Sequence, residues 1–80
     1  MKTDHLKEQV RRLNEEIKTL DDSIQALIEE ADRKGWTYST PIGLRAADLI
    51  ASKSFEAGVL TSMRLRTEIE IINAEKEEAR

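Results

Sequence analysis

At 80 residues, with 13 Lys and Arg against 16 Asp and Glu for a net charge of -3, the chain is one domain at most and too short to bury much surface alone. It has no cysteine for a disulfide and no His, Cys and carboxylate cluster at ligand spacing, so assembly with other copies or a partner is the expected source of stability. The charge balance excludes the basic stripe that DNA or an anionic membrane would require, and no apolar run approaches the roughly 18 residues of a membrane span.

The first half carries apolar residues at Leu6, Val10, Leu13, Ile17, Leu20, Ile24, Leu27 and Ala31, in alternating steps of four and three. With Leu6, Leu13, Leu20 and Leu27 at d, the a positions hold Val10, Ile17, Ile24 and Ala31, a combination compatible with parallel two-stranded pairing. The flanking residues do not specify that pairing: a parallel homodimer would set Glu16 near Asp21, and neither Gln9 with Asn14 nor Ser23 with Ile28 forms an ion pair. Ile28 widens the stripe, which suits a bundle better than a narrow seam. Helix 1 is expected over about 4–34, roughly 45 Å long at 1.5 Å per residue. Its end is marked by Glu29/Arg33 and Glu30/Lys34 at i, i+4 and by Gly35 as a left-handed cap.

The connection, 35–41, holds the only Trp, Tyr and Pro of the chain. Thr40 followed by Pro41 reads as an N-cap with proline in the first helical position. Helix 2 is expected over about 42–78. Leu44, Ala47, Ala51, Phe55, Gly58, Ser62, Leu65, Ile69 and Ile72 form one stripe along it, while Leu49, Ile50, Leu60, Met63 and Ile71 lie off that face. A helix apolar on more than one side needs cover on more than one side, and helix 1 supplies only one. Gly58 inside the helix costs roughly 1 kcal/mol against alanine, for which close packing is the expected reason. The expected fold is therefore all-α: residues 1–80 as a single helical hairpin that assembles into an oligomeric bundle. Leu13, Ile17, Leu20, Ile24, Phe55, Leu60 and Met63 are its expected interface residues.

The inventory offers no catalytic residue, no metal ligand set and no cofactor motif. His5 is the lone histidine, at the start of helix 1; the paired carboxylates fall on polar faces, and no Glu-x-x-His motif, phosphate loop or nucleophile elbow occurs. The Arg11-Arg12 and Arg64-x-Arg66 pairs are too interleaved with acids for a DNA-binding surface. The connection reads differently. Trp36 and Tyr38 offer faces for stacking, Thr37, Ser39 and Thr40 offer hydroxyls, and the N-terminus of helix 2 with Arg45 and Lys53 favours an anion. A nucleotide or cyclic nucleotide fits that set. The same residues are also read as structural, with the aromatics plugging the bundle end and the hydroxyls capping a turn.

The stretch Arg45-Ala46-Ala47-Asp48-Leu49-Ile50-Ala51-Ser52-Lys53-Ser54-Phe55-Glu56-Ala57 resembles the second-helix motif of phage helical-hairpin sponges, the anti-CBASS and anti-Thoeris proteins that sequester cyclic-nucleotide immune signals. The match covers about a dozen residues and is best at Arg45, Ser52, Lys53, Glu56 and Ala57. The chain departs from the family in reading Ser-Lys-Ser-Phe-Glu-Ala for Thr-Lys-Leu-Glu-Glu-Ala, and in having Leu60 near the place of an expected tryptophan. The resemblance implies a homo-oligomer that binds its signal between subunits without cleaving it, with Arg45, Ser52 and Lys53 as polar contacts, in the host cytoplasm. The opening segment Met1-Lys2-Thr3-Asp4-His5 does not read as a secretion signal, which also leads to a cytoplasmic expectation. Two other functions are compatible with the same residues: a small protein-binding inhibitor, phage antagonist or antitoxin-like, that uses Leu49, Leu60 and Met63, and an architectural coiled-coil module.

Overall fold

A computed structural model describes residues 3–37 and 39–79. Within them the chain forms two helices and no strand: α1, Asp4–Lys34, and α2, Pro41–Glu78, packed as an antiparallel hairpin 60 Å long and 15 by 13 Å across.

α1 follows its heptads. All eight a and d residues from Leu6 to Ala31 are buried or half-buried, and Leu13, at 6% exposure, is the most enclosed of them. With α2 the only other element, this seam is covered by the second helix of the same chain. The helix stops where its composition turns. Gly35 takes φ 67°, its N–H donates to the Asp32 carbonyl at 3.2 Å, and the Trp36 N–H donates to the Ala31 carbonyl at 2.9 Å. This Schellman closure satisfies carbonyls that the helix end would leave bare, and it needs the left-handed conformation that glycine adopts without strain.

α2 begins at Pro41 with Thr40 as its cap, as the Thr40-Pro41 pair indicates. The Thr40 hydroxyl accepts from the Gly43 N–H at 3.1 Å, and its carbonyl accepts from the Leu44 N–H at 3.0 Å. Proline at the first helical position forfeits no intrahelical bond.

Of the apolar sides expected on α2, the one turned to α1 includes Ile50, Leu60 and Ile71. The covered row is Gly43, Ala46, Ile50, Lys53, Ala57, Leu60, Arg64, Thr67, Ile71 and Ala74, every member buried or half-buried. The steps are again three and four, offset from the more apolar row. Size complementarity explains the choice. α1 supplies leucines, valine and isoleucines, so α2 approaches with its small residues: Gly43, Ala46, Ala57 and Thr67 are its buried positions. Thr67 has no unsatisfied hydroxyl, since it donates to the Met63 carbonyl at 2.9 Å. Polar ties fix the register: Lys7 pairs with Glu75 at 3.2 Å, and Arg64 donates to Asn14 Oδ1 at 2.8 Å.

The longer apolar stripe of α2 faces away from α1. Phe55 is 76% exposed, and Leu44, Leu65, Ile69 and Ile72 are each at least half exposed, as is Ile42. Total accessible surface is 6141 Å² for a mass of 9.1 kDa, whereas folded monomers of that mass expose roughly 4,900 Å².

Candidate functional site

The connection is seated on the first turn of α2 at one residue. A Cβ added to Gly43 would lie 1.8 Å from the Thr37 carbonyl oxygen and 2.9 Å from Thr40 Oγ1, so only glycine admits the chain there. Thr37 also receives the Thr40 hydroxyl at 3.0 Å and the Thr40 N–H at 3.2 Å on its carbonyl, while its own hydroxyl meets Ser39 Oγ at 2.6 Å. Gly43 escaped the sequence reading. Its signal was a glycine three residues after an N-cap threonine, where helix propensity alone disfavours it.

Above this seat Trp36 is half-buried and walls a cleft of about 320 Å³ with Ala31, Thr37, Gly43, Ala46, Ala47 and Ile50. One face of the indole carries the Lys34 ammonium, 5.3 Å from the ring centroid, a cation–π distance. Lys34 also pairs with Glu30 at 2.9 Å and holds that carboxyl below the usual carboxylate range. The cleft sits beside the N-terminal turn of α2, which holds no acidic residue. Its volume lies at the small end of the range for small-molecule sites, and its lining is mostly apolar.

The other expected contacts are distributed differently. Thr40 uses its hydroxyl as the cap. Arg45 is exposed, lies outside the cleft lining, and makes no ion pair or side-chain hydrogen bond among the described residues. Ser52 is exposed one heptad beyond it on the same side of α2, roughly 10 Å along the axis. Lys53 belongs to the inward row and is half-buried. Tyr38 lies outside the described residues. Among the described residues of this set, a single hairpin brings Trp36 to the cleft. The expected interface residues divide likewise: Leu13, Ile17, Leu20, Ile24 and Leu60 are at least half-buried within the hairpin, whereas Phe55 and Met63 are exposed.

Two other hollows have different chemistry. The larger, about 520 Å³, is an open groove lined by Arg12, Glu15, Glu16, Thr19, Leu20, Glu56 and Leu60, whose three carboxylates repel phosphate. The second, about 330 Å³, contains His5 with Glu8, Gln9 and Arg12. Glu8 accepts from Arg11 Nε at 2.9 Å and from Arg12, and this hydrogen bonding pushes its pKa down to about 2. A carboxylate so firmly ionised is poorly matched to general acid–base work at neutral pH. Among the described residues no group of three His, Cys, Asp or Glu is placed to hold a metal, and no helix is long and apolar enough to cross a membrane.

Comparison with protein-family models, curated proteins and solved structures gives no match, so the functional reading rests on the geometry of the hairpin.

Proposed function

We propose that this chain is a non-enzymatic binding protein of the cytoplasm that acts as an assembled helical hairpin and sequesters a nucleotide or cyclic nucleotide at its connection end. The observation that carries this reading is the Trp36 cleft. It combines an indole held by backbone capping, an apolar floor from Ala46, Ala47 and Ile50, and a neighbouring helix start without acidic residues. A base stacked on the free face of the indole would gain roughly 1–3 kcal/mol, and phosphates would meet the N-terminal dipole of α2 with Arg45 one turn on. Arg45 and Ser52 share an exposed side outside the cleft, so a complete polar shell requires contributions from another subunit. The resemblance of Arg45–Ala57 to the phage sponges supports the same reading and would make the protein a phage counter-defence factor. The alternative that a specific observation favours is capture of a protein target on the exposed apolar side of α2, at Leu49, Val59 and Met63.

Native mass spectrometry of gently purified protein, then with linear and cyclic nucleotides added, tests the proposal. The expected result is a mass gain of one nucleotide per site that disappears in Trp36→Ala and Arg45→Ala while helicity persists. An assembly that takes up no nucleotide overturns it and leaves the protein-target reading.

A further inference from the structure

We infer that the outward row of α2 pairs antiparallel with the same row of a second copy, about a two-fold axis at Leu60. The row is a second heptad seam: Leu44, Asp48, Ala51, Phe55, Gly58, Ser62, Leu65, Ile69 and Ile72 follow steps of four and three along the side away from α1. A two-fold axis makes contacts reciprocal, so each position i meets one position j in both directions. Placing the axis at residue 60 sets Phe55 against Leu65, Ala51 against Ile69, Gly58 against Ser62 and, toward the ends of the row, Asp48 against Ile72, each pair occurring twice. Bulk meets bulk around a waist of small residues, and small Ala51 accepts the branched Ile69.

Charge separates this arrangement from the parallel one. In-register parallel pairing stacks Asp48 on Asp48 and Lys76 on Lys76, and aligns Gly58 with Gly58 to leave a void. The antiparallel register lays the stem of Lys76 over Leu44 of the second copy, with its ammonium one turn from that copy's Asp48. Arg45 and Arg66 on the flank then face Asn73 and Ser52, so no like charges oppose each other.

Area and helix propensity agree with it. The hairpin exposes roughly 1,200 Å² more than a folded monomer of its mass, against the roughly 800 Å² per partner of a standard stable interface. Among the described residues, a Cβ added at Gly58 would meet nothing within 4 Å, so packing within the hairpin does not require glycine there. Close approach of a second backbone accounts for it. The same two-fold brings the 73–79 end of one α2, with Glu75, Glu77 and Glu78, beside the Pro41 end of the other.

The test uses the full chain with no nucleotide present, so it stands apart from the ligand question. The chain contains no cysteine, and any introduced thiol is therefore the sole one. Ala51→Cys mixed with Ile69→Cys is expected to form a heterotypic disulfide under mild oxidation, with neither variant linking to itself. Sedimentation equilibrium of the unmodified chain is expected to show self-association. Phe55→Asp, at a position the hairpin leaves 76% exposed, should retain helicity and raise the dissociation constant by about 30-fold or more. A monomer throughout the micromolar range, a self-linked Ala51→Cys, or assembly indifferent to Phe55→Asp would each overturn the inference.

Discussion

Replacing Gly43 by alanine tests how the connection is held. The new methyl would stand 1.8 Å from the Thr37 oxygen and 2.6 Å from its carbonyl carbon, both backbone atoms that no rotamer change can move aside. Relief requires the connection to withdraw by more than about 1 Å, given that carbon–oxygen contacts settle near 3.3–3.6 Å. That shift breaks the Thr40 cap, worth about 1 kcal/mol, and the two bonds from Thr40 to the Thr37 carbonyl, worth about 1 kcal/mol each. Alanine returns about 1 kcal/mol through helix propensity. The net loss is about 2 kcal/mol, or about 8–16 °C in Tm for a chain of this size. Circular dichroism melts at matched protein concentration read the loss. The emission of Trp36, the single tryptophan, reads the displacement as a red shift. An unchanged or raised Tm with unchanged emission would show that propensity outweighs the contact and that the connection is not seated on Gly43.

Leu13→Ala removes the most enclosed core side chain and is expected to cost about 2–5 kcal/mol, enough to abolish cooperative melting of the hairpin. Gly58→Ala should stabilise the isolated hairpin by about 1 kcal/mol and destabilise the paired form, so urea midpoints at low and high protein concentration should shift in opposite directions. Glu8 titrates near 2 rather than 4.5 because Arg11 holds its ionised form. A carboxyl depressed in the folded state contributes stability that is complete above its unfolded value and fades as pH falls from about 4.5 through about 2. Carboxyl carbon NMR should show that low midpoint, and Arg11→Ala should return it toward 4.5.

The parts of the fold that local rules decide were readable in the residues. Strict heptads set the covered side of α1, Gly35 could end it only in the left-handed conformation, and Thr40-Pro41 opened α2 as cap and first position. Which side of α2 meets α1 was left open by the residues, because that helix carries apolar residues on more than one side. Residue size decided instead: the row with Gly43, Ala46 and Ala57 admits the bulky seam of α1, while Phe55, Leu65 and Ile69 remain for another surface. The candidate site divides for a related reason. Trp36 is placed by its own backbone, through its N–H on the Ala31 carbonyl beside the Gly35 cap. Arg45, Ser52 and Lys53 are placed by the rotation of α2 about its axis, which the choice of face fixes and the local sequence does not.

The tight seat of the connection on α2 also bears on how the chain folds. Contacts between the helices span the fewest residues beside the connection and nearly the whole chain at the far end, where Lys7 meets Glu75. Loop closure is least costly at the short end, so the hairpin should nucleate around Gly35, Thr40 and Gly43 and zip outward one heptad layer at a time. Changes at those three residues then slow folding, whereas changes toward the Lys7–Glu75 end act chiefly by hastening unfolding.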